Sequence, residues 1–251
     1  MTSPPDAQTI PAEHLAQLDA IDQTYWWHRV RWRAIRRSLM RHARRRVFPC
    51  YFDIGSGGGG LPGLLVRDFA FQEIRLFDQH AVHGSKIAHP RLTQHVADLE
   101  QFRADALPAP ELITCLDVLE HLRDPAQLLR ELKRHAAERP CTLIVTVPAL
   151  QGLWSWWDVR AGHHRRYTAQ QLRRLLEDAG WDVVSCRYFF HAAVVPLWLR
   201  KHRAGDDGQR LEFPLLPAWL NGLLERLFWL EYLATDRLSL PFGSSLIAVA
   251  R

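Results

Sequence analysis

The chain has 251 residues, 47% of them hydrophobic, which is enough for one substantial core and too apolar for a disordered or fibrous protein. Lysine and arginine number 32 against 27 acids, and the formal charge of +5 is too modest to mark a nucleic-acid binder by itself. Four cysteines, Cys50, Cys115, Cys141 and Cys186, stand far apart with no C-x-x-C pair, which argues against a disulfide frame or a cysteine zinc site and suits isolated thiols in a reducing cytoplasm.

MTSPPDAQTI at the start has no basic region leading into an apolar run, so no signal peptide is expected. From about Ala12 to Ala43 the periodicity predicts helix, with Leu15, Leu18, Ile21, Tyr25, Trp26, Trp27, Val30, Trp32, Ile35 and Leu39 available for a buried face. Nine arginines lie between Arg29 and Arg46. Residues 1–46 therefore read as a Trp/Arg-rich helical cap whose arginines stay in water, or as a helix that meets an anionic headgroup region. No nucleic-acid module motif accompanies it, and no nucleic-acid partner is expected.

YFDIGSGGGG, Tyr51 to Gly60, is a short apolar strand that breaks into glycines, where backbone N–H groups can approach a ligand closely. Both G-x-G-x-G and G-x-G-x-x-G can be read here, so the glycines alone do not separate a methyl-donor site from a dinucleotide site. Asp53 bears on the choice. Its carboxylate would repel a pyrophosphate, but could pair with the ammonium or sulfonium of S-adenosylmethionine. Leu61 to Phe69 reads as a helix and Ile74 to Asp78 as a strand ending in an acid, about twenty residues past the loop, where α/β cofactor folds place a carboxylate on ribose hydroxyls. His95 to Leu99 is read as the next strand, with Asp98 placed to accept from an adenine amino group.

Leu112 to Leu116 and Thr142 to Val147 are further apolar strands, separated by DVLEHLRDP and an amphipathic helix carrying Leu128, Leu129 and Leu132. Strands alternating with helices predict a doubly wound Rossmann-like α/β sheet with helices on both faces and ligands at the carboxyl ends of its strands. Read as the start of a helix, Asp117, Glu120 and His121 share one face and could jointly hold a divalent cation. The plainer reading makes Glu120 a helix-terminal charge, and no metal site is expected.

Residues 148–168 form a loop on the acceptor side. Trp154 and Trp157 offer apolar walls, Asp158, Arg166 and Tyr167 polar contacts, and His163 and His164, with His121, candidate acid/base groups. The alternative is that the tryptophans and the Arg-Arg-Tyr run merely pack the loop down. Thr168 can cap a helix over 169–179 that ends at Gly180. Residues 192–243 are too long for a hairpin turn and read as a helical insertion, with a polar linker at 204–209 and an apolar helix through Trp219, Leu220, Leu223, Leu224, Leu227, Leu230 and Leu233. Such a helix needs cover from the core, from a second copy forming a homodimer through 210–240, or from a membrane surface.

FDIGSGGG, the acid of LFD, VADL and LITCLDVLEHLRDP, in that order, resemble the class I S-adenosylmethionine-dependent methyltransferases, specifically the small-molecule type 11/type 23 group, over about 52–180. The resemblance implies a seven-stranded sheet, residues 47–251, mostly parallel with an antiparallel last strand, with 181–189 and 245–250 as the two final strands. It implies S-adenosyl-L-methionine as cofactor. Asp53 and Gly55, Ser56, Gly57 and Gly59 would serve its methionine part, Asp78 and Gln79 the ribose, Asp98 and Leu99 the adenine, and Cys115, Leu116 and Asp117 the floor near the sulfur. The activity expected is methyl transfer to a small hydrophobic or lipid/glycan-linked acceptor, most naturally at oxygen, by a cytoplasmic protein able to sit at the inner face of the membrane. A nicotinamide-dependent oxidoreductase and a non-catalytic, partner-binding relative are the alternatives. The first lacks a Tyr-x-x-x-Lys pair.

Overall fold

The structure, a computed structural model, describes residues 25–43, 45–57, 59–80, 89–104, 106–137, 139–201 and 216–251. The expectations at Leu15, Leu18, Ile21 and the 204–209 linker lie outside these residues. Seven strands form one sheet: β1 (Val47–Ile54), β2 (Ala70–Asp78), β3 (Leu92–Val96), β4 (Leu112–Leu116), β5 (Thr142–Pro148), β6 (Val183–Phe189) and β7 (Ser245–Ala250). Their order across the sheet is β3-β2-β1-β4-β5-β7-β6. All neighbours are parallel except where β7 runs antiparallel between β5 and β6.

Period-2 alternation divides the core into two layers, as it must in a sheet covered on both faces. On one side Phe52, Ile54, Ile113, Cys115, Val145 and Val147 pack under α3 (Pro125–Ala136) and α5 (Ala169–Asp178). On the other, Tyr51, Leu112, Ile144, Ile247 and Val249 lie under α1 (Trp26–His42) and α2 (Gly60–Leu65). The chain's own punctuation sets the helix ends. Asp124 caps α3 by accepting from Ala126 and Gln127 N–H, with Pro125 in the first turn where no N–H is missed. Thr168 and Gln171 form a capping box on α5.

Two expectations are corrected. β3 ends at Val96, and Asp98 instead caps a 3-10 turn at Leu99–Gln101 by accepting from Glu100 N–H at 2.9 Å. DVLEHL is a turn rather than the start of a helix: Asp117 adopts φ 51°, and helical structure begins only at Pro125. Asp117 therefore does not share a helix face with Glu120 and His121.

The arginines of α1 are not simply solvated. Arg29 and Arg33 both pair with the buried Glu225 of α7 (Ala218–Thr235), at 3.1 and 2.9 Å, and Arg37 and Arg41 both pair with the buried Asp236 at its end. Four arginines at four-residue spacing make one stripe, and two acids three turns apart receive it, so α1 and α7 run side by side in the same direction. Burial pushes the Asp236 carboxyl up, yet the Arg41 and Arg37 hydrogen bonds outweigh it and leave the group below its ordinary value. Trp26 stacks on Phe228 with ring centroids 4.5 Å apart, an arrangement worth about 1 kcal/mol beyond its buried area. Among the described residues α7 is thus covered on one side only. Trp219, Leu227 and Leu230 are exposed, as are Trp198 and Leu199 on α6 (Val194–Lys201). Among the described residues no helix is long and apolar enough to cross a membrane.

Candidate active site

The carboxyl ends of β1, β4 and β2 stand side by side, where open α/β sheets form their ligand crevice. After Ile54 the chain turns through Gly55 at φ 70°, Gly57 at φ 47° and Gly59 at φ 72°, left-handed backbone that a side chain would strain. A Cβ on Gly55 would stand 2.2 Å from Val118 Cγ2, so the loop lies directly against the turn that follows β4; a Cβ on Gly57 would meet nothing within 4 Å. The N–H groups of Gly55 and Ser56 are tied to Phe77 O at 2.8 and 3.1 Å, which hooks the loop onto the end of β2. Asp78 ends that strand. It accepts from Gly57 N–H at 2.9 Å through Oδ2 and from His80 N–H at 3.0 Å through Oδ1, and each oxygen keeps a lone pair. Gln79 is exposed beside it. These features fit an adenosyl cofactor: open backbone at Gly57, and a carboxylate anchored with acceptor capacity to spare.

Asp53, near the end of β1 just before the loop, is the second acid of this region. It is 3% exposed and shares a strand face with Tyr51. Thr114 Oγ1 donates to it, and the Tyr51 and Thr114 hydroxyls are 2.7 Å apart. Cys115 is fully buried, and burial pushes its thiol well up, with the Glu120 and Asp53 charges adding to the effect. Asp117 is held by Thr146 Oγ1 at 3.0 Å and by Arg31, which reaches across from α1.

Beside this crevice, residues 148–168 dock on the 117–123 turn. The Tyr167 hydroxyl donates to Leu119 O at 3.1 Å, His164 N–H to Glu120 O at 2.7 Å, and Arg165 to Arg123 O at 3.0 Å. A short helix, α4 (Trp156–Arg160), carries Asp158 into the interior at 0% exposure. The Arg166 guanidinium grips it with Nε at 2.8 Å and Nη2 at 3.0 Å, and His163 Nδ1 lies 2.9 Å from Oδ1. Burial raises Asp158, but the His163 and Arg166 hydrogen bonds prevail and hold it below the ordinary carboxylate value. The His163 ring meets His121 edge-on, centroids 4.7 Å apart. Burial, with His163 and His164 nearby, brings His121 down to about 4 against the Gly162 carbonyl. Glu120 is 0% exposed, and neither of its oxygens meets a donor from another described residue. Burial takes it up to about 8 against the weaker pull of its own backbone N–H, Arg31 and Arg166.

The structure therefore joins His121, His163, Asp158, Arg166 and Tyr167 in one ledge. His164 is exposed at its edge, while Trp154 and Trp157 are half-buried in the loop above. Arg31 is the participant that sequence reasoning misses, and Glu120 is a bare buried carboxyl where a helix-terminal charge is expected. Arg31 lies within an arginine-rich helix and carries no mark that its partner stands 86 positions away.

A family model described as a methyltransferase domain matches residues 26–186, more than half of the chain. A seven-stranded sheet with β7 reversed, a glycine loop after β1 and an acid ending β2 define the class I fold that uses S-adenosylmethionine as cofactor. The chain belongs to the methyltransferase-domain family. A search of curated proteins finds no match. Among solved structures, the chain resembles one from the complex between the Haloferax volcanii Trm112 methyltransferase activator and a methyltransferase (12% identity, 96% of this chain and 98% of that one, TM-score 0.59). It also resembles the N-methyltransferase NodS from Bradyrhizobium japonicum WM9 in complex with S-adenosyl-L-homocysteine (15%, 95% and 96%, 0.52). A third likeness is to the [4+2]-cyclase SpnF (17%, 95% and 91%, 0.55). At these identities the likeness is one of fold, and that one neighbour is a cyclase means the reaction has to be argued from the site.

Proposed function

We propose that the protein transfers a methyl group from S-adenosylmethionine to an oxygen of a small hydrophobic or lipid- or glycan-linked acceptor. The observation that carries this reading is the buried Asp158 holding His163 against His121 on a ledge beside the glycine-loop crevice. The cofactor supplies an electrophilic methyl group. The chain's own residues do the rest. Asp78 and Gln79 take the ribose hydroxyls, the 55–59 loop the methionine part with Asp53 beneath it, Asp98 and Leu99 the adenine edge, and Leu116 with Cys115 and Asp117 floors the crevice. Trp154 and Trp157 wall the acceptor, with Arg166 and Tyr167 fixing the loop that carries them.

Most of the barrier lowering comes from alignment of two reactants in one crevice. The histidine ledge engages the acceptor hydroxyl, and His164, exposed at its edge, passes the released proton to solvent. The exposed apolar residues of α6 and α7 suit an acceptor that arrives at the inner membrane face.

The test supplies methyl-labelled S-adenosylmethionine with phenols, hydroxylated isoprenoids and glycolipids. Label is expected in ether-linked methyl groups, falling by about 10²–10⁴-fold in His163→Ala. Label on nitrogen or carbon, or label unaffected by that variant, would overturn the reading.

A further inference from the structure

The ledge contains a group that methyl transfer by alignment does not use. Glu120 is a carboxyl with 0% exposure and no hydrogen-bond donor from another described residue, a costly arrangement in a chain whose other buried acids are all partnered, Glu225, Asp236, Glu111, Glu131 and Asp158 by arginines and Asp53 by the Thr114 hydroxyl. Two imidazoles lie beside it, with the charges of Arg31, Arg166 and Asp158 farther round. One ligand atom each from Glu120, His121 and His163 lies within 4.8 Å of the others. Around a tetrahedral divalent ion with bonds of about 2.0–2.2 Å, ligand atoms stand about 3.3–3.6 Å apart, so side-chain movements of about 1 Å bring the three into a coordination sphere.

We propose that Glu120, His121 and His163 bind a divalent transition-metal ion, of the zinc or iron(II) class that two imidazoles and one carboxylate suit. His163 is already prepared for this. A metal-ligating histidine commonly holds a carboxylate with its other nitrogen, and Asp158 lies 2.9 Å from His163 Nδ1 while being fixed in turn by Arg166. The three ligands come from two segments that hydrogen bonds lock together, His164 N–H to Glu120 O and the Tyr167 hydroxyl to Leu119 O, so the ligand set is held by the fold. Asp117, which the sequence pattern would have recruited, stands apart, engaged by Arg31 and Thr146. The inference revises the expectation of no metal. It rests on the methyl-transfer reading for its purpose: three protein ligands leave a position open, where an acceptor hydroxyl is drawn in and made more acidic, its proton leaving through His164.

The experiment titrates the full chain, stripped with a chelator, with Co²⁺ and Zn²⁺, followed by calorimetry and by the visible absorption of the cobalt form. One equivalent with the intense absorption of a four-coordinate cobalt site is expected. Affinity should fall at least 100-fold in Glu120→Gln and in His163→Gln, and about 10–100-fold in Asp158→Asn, which removes no ligand. Circular dichroism shows whether each variant is folded; should Asp158→Asn unfold, the other two decide. No stoichiometric binding, or binding unchanged in folded Glu120→Gln and His163→Gln, overturns the proposal. S-adenosylhomocysteine affinity measured on the same samples separates the two readings. Cofactor bound without metal sinks the metal site alone, and metal bound without cofactor sinks the methyl-transfer reading.

Discussion

The crevice and the ledge beside it are built in opposite ways. The crevice is mostly backbone: left-handed glycines at Gly55, Gly57 and Gly59, N–H groups tied to Phe77 O, and one carboxylate, Asp78, held by the loop it serves. The ledge is mostly side chains, with Asp158, Arg166, His163, His121 and Glu120 drawn from separate segments into a dry cluster of charge. A backbone site tolerates side-chain changes except where a Cβ cannot fit. A site of buried charges depends on each partner, because the one left behind is stranded in low dielectric.

Asp158→Asn should therefore have the largest effect on the fold. It leaves the Arg166 guanidinium buried without its counter-charge, and a loss of about 3–5 kcal/mol is expected by chemical denaturation at pH 7. The folded carboxyl titrates below its ordinary value, so its contribution is present above that range and is lost as pH falls through the depressed value. The gap between wild type and variant should narrow on acidification.

The next effect lies in the crevice. Gly55→Ala forces a methyl group to 2.2 Å from Val118 in strained backbone, whereas Gly57→Ala meets only the strain. Calorimetry with S-adenosylhomocysteine should show a loss of at least 100-fold for Gly55→Ala. For Gly57→Ala about 5–30-fold is expected, corresponding to about 1–2 kcal/mol for a left-handed residue bearing a side chain. Equal losses would mean that the loop does not lean on the β4 turn.

The remaining effect has an unusual sign. In the metal-free chain, Glu120 in the folded state titrates near 8 against an ordinary 4.5. Between those values the folded chain holds a proton that the unfolded chain has released, so stability declines as pH rises, and the full cost is present above 8. Glu120→Gln is free of this cost. Its melting temperature relative to wild type should rise by several degrees between pH 5.5 and 8.5, since a tenfold change in proton affinity is worth about 1.4 kcal/mol. A pH-independent difference would show that the carboxyl finds a donor.

The same contrast explains what was legible in the sequence. The sheet and the crevice are written as local patterns: alternating apolar runs, glycines after a strand and an acid at the end of the next, each readable within a few residues. Phe52, Gly55 and Asp78 could thus be placed by reading along the chain. Asp117 could not, because its positive φ turns the chain before a helix can begin, and an acid-x-x-Glu-His spacing looks helical until Asp124 and Pro125 are recognised as the true start. The ledge joins residues through pairings such as His121 with His163, and the cap through Arg41 with Asp236, 195 positions apart. Periodicity carries no record of such pairings. It marked the arginine stripe of α1 and the apolar helix α7 without showing that each was the other's cover.

Methyl transfer by this chain requires, before anything else, that the crevice be an adenosyl site anchored by Asp78. Calorimetric titration of wild type and Asp78→Ala with S-adenosylmethionine, S-adenosylhomocysteine and NADH tests this. Two charge-assisted hydrogen bonds of about 1.5–3 kcal/mol each imply that the adenosyl compounds bind wild type, weaken by at least 100-fold in Asp78→Ala, and have no counterpart in NADH. Binding of NADH in their place, or adenosyl binding indifferent to Asp78 in a folded variant, would contradict it.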